Sequence, residues 1–288
     1  MSLATNTKGI LFLIFAVLCF SIMNGVTKHL AETYNVTTLN MFRYWFFALT
    51  IILINSKSKT SIGQTANSKR KFIQIFRGSL LAIQMCFAHY CFLELGLIET
   101  SAIFAVSPLF VTALAMAFLH EKLNLQRIIA IGLGFIGVLI ILRPGLDVFD
   151  PISYIALMCA FAYALYQILT RFVSNYDSAG TSFFYTGISG ALILSLVGPF
   201  FFTNLKNFDG LLILIISILG TSAHYCIIKA YQLSPASILQ PFNYFQLVFN
   251  TLIGVVFFGE IIEIAVLIGS LIVVLAGLYS FKSTQRDD

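Results

Sequence analysis

Charged side chains are scarce in this 288-residue sequence, since Lys, Arg, Asp and Glu make up 10% of it and hydrophobic residues 59%. An ordinary soluble domain carries about 25% charged residues. The longest polar stretch, Asn55 to Lys71, is too short to fold as a separate catalytic domain. The composition therefore indicates an integral membrane protein and excludes an enzyme whose active site lies in a soluble domain.

Acidic residues are missing from the middle of every apolar segment. Glu94, Glu99, Glu121, Glu260 and Glu263 all lie near segment ends. The chain thus lacks the buried carboxylate that an exporter exchanging protons for cations would use. An intramembrane enzyme would need a pair of carboxylates, a Ser/Lys pair or a histidine cluster within the spans, and the sequence has none. We expect a protein that is not an enzyme.

The cysteines do not suggest a disulfide framework or a metal site. They are odd in number, lie inside apolar segments and show no metal-ligand spacing, at positions Cys19, Cys86, Cys91, Cys159 and Cys226. The run Gly132–Gly137 spells GxGxxG, but it lies within an apolar segment with no preceding strand, so it predicts close helix packing rather than a dinucleotide site. No cofactor is expected.

Ten apolar segments are long enough to be read as membrane spans, each of which needs about 20 residues. In chain order, spans one to ten are 9–31, 38–54, 73–95, 99–119, 126–142, 151–171, 179–199, 209–231, 235–258 and 262–281.

Basic residues are distributed unequally between the two sides of the membrane. With both termini in the cytoplasm, thirteen Lys and Arg residues fall inside, Arg77 among them. Four fall outside, namely Lys28, Arg43, Arg143 and Lys206. This bias predicts cytoplasmic termini in a multi-pass protein of the cytoplasmic membrane, and it accounts for the net charge of +5 without nucleic acid as a partner. Arg43, near the outer end of span two, could meet an anionic group or snorkel to the interface, and we expect it to snorkel.

The tetrapeptide Ala-His-Tyr-Cys occurs at both Ala88–Cys91 and Ala223–Cys226, which indicates an internal duplication. Further pairs support it: Lys28 and Arg171 end spans one and six, and Glu121 and Glu260 end spans four and nine. We therefore predict two repeats, residues 1–145 and 146–288. Because each holds five spans, an odd number, the second enters the membrane inverted, with a substrate site where the halves meet.

At this point the chain resembles the drug/metabolite transporter superfamily, EamA type, which is built of two inverted five-helix halves. The resemblance implies an all-α membrane protein of ten transmembrane helices with both termini cytoplasmic. Several runs are similar to the branch of bacterial riboflavin importers, namely Tyr34–Phe47, Gln74–Gly78, Leu95–Leu109, Ala164–Val173, Asp177–Gly187 and Ser234–Phe249. A neighbouring branch proposed to carry S-adenosylmethionine has similar runs.

Polar residues at helical spacing mark the faces that could line a pathway. The predicted substrate-binding residues are Asn24, Tyr163, Gln167, His224, Gln240, Asn243 and Tyr244, with His89 and Tyr185 as further candidates. Amides and tyrosines of this kind also hold helices together by hydrogen bonds. Each histidine could be a structural residue, a proton carrier or a substrate contact.

The absence of buried acids favours a neutral solute with a flat ring or hydroxyl groups, which aromatic and amide side chains would bind. The sequence therefore predicts a secondary transporter working by alternating access, with riboflavin as the first candidate substrate. An S-adenosylmethionine carrier and an exporter of amino acids or other metabolites remain alternatives. Spans five and ten, poor in polar residues, would be peripheral supports or the face of a homodimer.

Overall fold

The computed structural model describes residues 3–57, 62–119, 125–142, 150–206 and 209–287, and its secondary structure within those ranges is helical throughout. The all-α prediction is therefore confirmed for this part of the chain. The helices are α1 (Leu3–Ala31), α2 (Val36–Lys57), α3 (Ile62–Thr65), α4 (Lys71–Glu94), α5 (Leu97–Phe104), α6 (Ser107–Leu119), α7 (Leu125–Leu142), α8 (Ile152–Val173), α9 (Ala179–Val197), a 3-10 turn (Gly198–Phe201), α10 (Asp209–Leu233), α11 (Ala236–Asn243), α12 (Phe245–Phe258) and α13 (Ile264–Asp287).

Eight of the ten predicted spans coincide with helical segments long and apolar enough to cross a membrane. Spans five and ten coincide with the shorter apolar stretches Gly132–Ile141 of α7 and Ile264–Ala276 of α13. Large apolar side chains such as Met158, Leu196 and Phe257 are mostly exposed, as expected of a surface that faces lipid. The chain is a multi-pass membrane protein. The count of ten spans and the cytoplasmic placement of the termini stay predictions.

Spans four and nine are each divided into two helices. Span four breaks at Ala105 and Val106, between α5 and α6, and span nine breaks at Tyr244, between α11 and α12. Pro108 lies just after the first break and Pro241 just before the second. Proline lacks an N–H and its ring crowds the preceding turn, so each residue interrupts the helical hydrogen bonds close to the break. Divided spans of this kind leave backbone and side chains free to line a cavity.

Helix packing follows a pattern in which α1 lies against α10, α8 against α4, and α7 against α13. The predicted duplication relates the first two pairs to each other, while nothing further tests the boundary at residue 145. In the third pair the backbones touch: a Cβ added at Gly137 would lie 2.8 Å from the Gly269 carbonyl oxygen. Close packing is confirmed at Gly137 and Gly134 of the GxGxxG run, whereas Gly132 faces open space.

Candidate functional site

A cavity lies between α1, α4, the divided spans four and nine, α8 and α10. Seven of the nine predicted substrate-binding residues line it: Asn24, His89, Tyr163, Gln167, His224, Asn243 and Tyr244. Both helix breaks open onto it, since Ala105 and Tyr244 are part of its wall.

Five further polar residues line the cavity and were not among the predicted ones: Gln84, Ser101, Ser107, Gln246 and Asn250. Asn250 and Gln246 lie on the polar side of span nine that the sequence already indicates. Gln84 is five residues before His89 on α4 and lines the same cavity. Ser101 and Ser107 flank the break in span four. Pro108, which marks that break in the sequence, could therefore have indicated them.

A hydrogen-bonded cluster fixes Gln167 at one side of the cavity. The Tyr231 hydroxyl donates to Gln167 Oε1, and Gln240 Nε2 donates to the same oxygen over 3.2 Å. Asn243 Nδ2 donates in turn to Gln240 Oε1 at 3.0 Å. Gln240 is therefore behind the cavity wall, where it orients two residues that do line it. The cluster uses the oxygen of Gln167 and leaves its amide nitrogen for another partner.

Three lining residues carry buried polar atoms that have no hydrogen-bond partner among the described residues. They are Gln167 Nε2, Asn250 Oδ1 and both ring nitrogens of His224. Asn250 is held in place because its Nδ2 donates to Ser101 Oγ at 2.7 Å. A buried polar group without a partner is costly, so such groups mark places that a ligand or water fills. Together they offer a donor, an acceptor and an imidazole.

His89 is oriented by a chain that begins at Arg43. Arg43 Nη1 donates to Asn40 Oδ1 at 2.5 Å, and Asn40 Nδ2 lies 3.0 Å from His89 Nδ1. Because a guanidinium only donates, the Asn40 oxygen faces Arg43 and its NH₂ group faces the histidine. Nδ1 is then an acceptor, which places the proton of a neutral imidazole on Nε2.

The expectation that Arg43 snorkels to the interface is wrong. Its side chain is 4% exposed, with Nη2 at 3.7 Å from Met85 Sδ, so it lies directly behind a residue of the cavity wall. Arg77, counted as a cytoplasmic surface charge, is also fully buried. It donates to Gln74 Oε1, Thr170 Oγ1 and the Ser182 carbonyl at 2.7–3.0 Å. For Arg77, hydrogen bonds to neutral oxygens compensate for the loss of water that burial of the cation entails. Arg43 donates to one oxygen, and its buried Nε has no partner among the described residues.

Tyr185 does not line the central cavity. Its hydroxyl donates to the carbonyl oxygen of Ala66, in the segment before α4, at 2.8 Å. Its ring packs edge-on against Phe184, with centroids 5.4 Å apart. We therefore leave Tyr185 out of the proposed site.

Aromatic rings form the apolar part of the cavity wall. Phe20 meets His224 edge-on with centroids 5.0 Å apart, and Phe92 stacks against Phe104 at 6.1 Å. Tyr163 and Tyr244 add two phenol rings. None of the described lining residues is Asp or Glu. The wall thus combines flat apolar surfaces with neutral hydrogen-bonding groups, and no group of His, Cys, Asp or Glu in the described part of the chain could hold a metal.

A cluster around Glu260 joins the turn after α12 to the beginning of α5. Glu260 Oε1 and Oε2 accept from the backbone N–H groups of Leu97 and Ile98, both at 2.8 Å, and the carboxylate also pairs with Lys28. A carboxylate at a helix N-terminus meets unpaired N–H groups and the positive end of the helix dipole. We call these four residues the Glu260 cluster. Glu121, the counterpart of Glu260 in the predicted repeat, lies outside the described residues.

A model of the EamA-like transporter family matches residues 7–143 and again residues 151–281. The chain belongs to this family. It is 24% identical to an S-adenosylmethionine uptake transporter of Rickettsia felis, over 99% of this chain and 96% of that protein. It is 28% identical to a riboflavin transporter of Vibrio cholerae, over 93% and 91%. A solved crystal structure covers 98% of this chain and 99% of its own with a TM-score of 0.68, and at 15% identity it shows the fold alone.

Proposed function

We propose that this EamA-family transporter carries riboflavin across the cytoplasmic membrane by alternating access, with the central cavity as its binding site. The observation that carries the proposal is the set of unpartnered buried groups at Gln167, Asn250 and His224 between aromatic walls. Riboflavin has a flat ring system for stacking, a pyrimidine edge with donors and acceptors, and a hydroxylated tail. The double family match, over residues 7–143 and 151–281, supports two repeats that move against each other.

S-adenosylmethionine is the second candidate, because relatives of that name match nearly the whole chain. It carries a permanent positive charge, and the described cavity wall supplies no carboxylate to meet it. Arg43 adds a buried positive charge one side chain behind that wall, and no described carboxylate pairs with it. Like charges at short range repel strongly where water is excluded. The electrostatics therefore favour a neutral solute, although aromatic rings alone can bind cations.

The experiment is riboflavin uptake in a bacterial auxotroph that lacks its own importer. Gln167→Leu removes the cavity amide, whereas Gln232→Leu makes the same change on α10 outside the cavity. We expect saturable uptake with the native chain and with Gln232→Leu. We expect Gln167→Leu to lose about ten- to a hundredfold in uptake efficiency, because the buried partners of its amide are left unpaired.

Competition by S-adenosylmethionine and by amino acids separates the candidates in the same cells. Absence of riboflavin uptake in a strain whose membranes contain the protein would overturn the riboflavin assignment. If the cells then take up labelled S-adenosylmethionine, and the Gln167→Leu variant takes up less of it than the native chain, the second candidate would be favoured. A homodimer through α7 and α13 stays a proposal, supported by the exposed apolar side chains of both helices.

A further inference from the structure

A second cleft lies between α2, α9 and α10, and it shares no lining residue with the central cavity. Thr65 and Asn55 are at one end of it, beside the short helix α3, and Thr221 is at the other, in the middle of α10. In the predicted orientation the Asn55 end faces the cytoplasm. The cleft runs from that surface about halfway into the membrane.

The cleft carries a positive charge that no described carboxylate neutralises. Lys229 lines it, and its ammonium lies 5.9 Å from the centroid of the Tyr225 ring, one helical turn deeper. This is the direction in which helical side chains lean, toward the helix N-terminus. Asp177, which lies close in sequence to the start of α9, is not a lining residue, and its oxygens accept from Ser68, Lys69 and Gln74.

The beginning of α9 adds backbone donors to the same cleft. The helix starts at Ala179, and the Ser178 hydroxyl accepts from Thr181 N at 3.1 Å. The N–H groups of Ala179 and Gly180 have no acceptor within the helix. Gly180 lines the cleft, and a Cβ there would meet only Ser178 Oγ, at 3.6 Å. An anion can therefore approach this helix end closely.

The hydroxyl of Thr221 is an independent sign of a polar ligand. The residue is 7% exposed, lines the cleft, and its Oγ1 has no hydrogen-bond partner among the described residues. It lies one turn deeper than Tyr225 and so about 6 Å below the level of the Lys229 ammonium. A ligand in the cleft would therefore meet a cation first and a hydroxyl one turn further in.

Part of the remaining wall is polar, at Thr50, Asn55, Thr65 and Ser222. The rest is apolar and opens to the lipid side: Ile54 is 56% exposed and Tyr225 40% exposed, and Ile51 and Phe183 also line it. A free phosphate would gain nothing from these residues, whereas an acyl chain would cover them. The occupant must combine a negative charge, a polar group about one helical turn away, and a hydrocarbon chain.

We infer that this cleft binds an anionic phospholipid of the leaflet next to Lys229. The phosphate would pair with Lys229 and the N–H groups at the start of α9, an ester carbonyl would accept from the Thr221 hydroxyl, and an acyl chain would lie along Ile51 and Phe183. Basic pockets between spans on the cytoplasmic side are suited to such headgroups. The site is independent of which solute the central cavity carries.

The test is native mass spectrometry of the full-length purified protein, titrated with phosphatidylglycerol and, separately, with phosphatidylcholine. Lys229→Gln should lower the apparent affinity for phosphatidylglycerol by about fivefold, since one lysine near an anionic lipid contributes about 1 kcal/mol. Lys206→Gln makes the same charge change at an exposed position away from the cleft and should have no effect. Thr221→Val, which keeps the volume and removes the hydroxyl, should weaken both lipids.

Three results would overturn the inference. The first is equal affinity of the native protein for the two lipids. The second is a Lys229→Gln variant that binds phosphatidylglycerol as the Lys206→Gln variant does. The third is displacement of the lipid by millimolar inorganic phosphate, which would show a site for free phosphate instead. None of these readouts depends on transport, so a failed riboflavin assay leaves the test intact.

Discussion

Glu260→Gln is the substitution for which the structure gives the sharpest expectation. The native carboxylate accepts from two backbone N–H groups of α5 at 2.8 Å and pairs with Lys28. Glutamine keeps one acceptor oxygen, but its NH₂ group would face a second N–H donor. A hydrogen bond to a charged group contributes about 1.5–3 kcal/mol. The Lys28 pair adds about 1 kcal/mol or less, since its side chains are 11% and 16% exposed.

Glu260→Gln should therefore destabilise the state in which α5 is held against the end of α12 by a total of about 2–4 kcal/mol. Such a loss raises the population in which these helices part by about 30- to 1,000-fold. The assay is the rate at which a water-soluble maleimide labels a cysteine introduced at Ala105, which lines the cavity and is 7% exposed. The protein would be held in nanodiscs with its native cysteines replaced. Labelling should accelerate by a factor within that range.

Glu263→Gln is the matched control, because it removes the same charge three residues further on, at an exposed position outside the Glu260 cluster. It should leave the labelling rate close to that of the parent. If both variants label at the parent rate, the contacts of Glu260 do not hold the helices together and the reasoning is refuted. If both accelerate equally, net charge rather than the Glu260 cluster sets the rate.

Two further predictions concern other parts of the fold. Arg77→Met should lower the free energy of unfolding by about 2–4 kcal/mol, because it removes four hydrogen bonds to three buried oxygens. Arg70→Met, at an exposed position, should change the free energy of unfolding far less. Equal melting temperatures of the Arg77→Met and Arg70→Met variants would contradict this prediction. The Tyr34 hydroxyl donates to Asp209 at 2.5 Å, which raises the pKa of Tyr34. The stability that this bond contributes should be lost above about pH 10; Tyr34→Phe should show a shallower fall in melting temperature there.

The spans and most of the cavity could be predicted from the sequence because a bilayer restricts what a helix can expose. A polar side chain in the middle of a span must face protein or an enclosed cavity. Helical spacing around Gln167 and His224 therefore indicated the side of α8 and α10 that lines the cavity. The divided spans carried a second signal, since Pro108 and Pro241 each lie within three residues of a break.

Charges near span ends were not predictable in the same way. Arg43 and Arg77 lie close enough to a span end for snorkelling, and spacing along one helix does not distinguish snorkelling from burial. Both arginines are buried because a side chain three residues away supplies an oxygen to the guanidinium. Asn40 does so for Arg43 and Gln74 for Arg77. Spacing also did not show that Tyr185 lies away from the central cavity, because its partner is a carbonyl in a distant segment.

Two contacts join α5 to α12, and together they relate the cavity to the Glu260 cluster. Ser101 on α5 accepts from Asn250 on α12 at the cavity wall, and Glu260 holds the first turn of α5 at the end of the bundle. The same two helices thus carry a lining amide and, at one end, the Glu260 contacts that hold α5 against the end of α12. A ligand that donates a hydrogen bond to Asn250 Oδ1 would contact one of the two helices that Glu260 holds together. We therefore expect Asn250→Leu to weaken substrate affinity. Because it also removes the bond to Ser101, a neutral hydrogen bond that contributes about 1 kcal/mol, it should accelerate labelling without substrate by less than Glu260→Gln does.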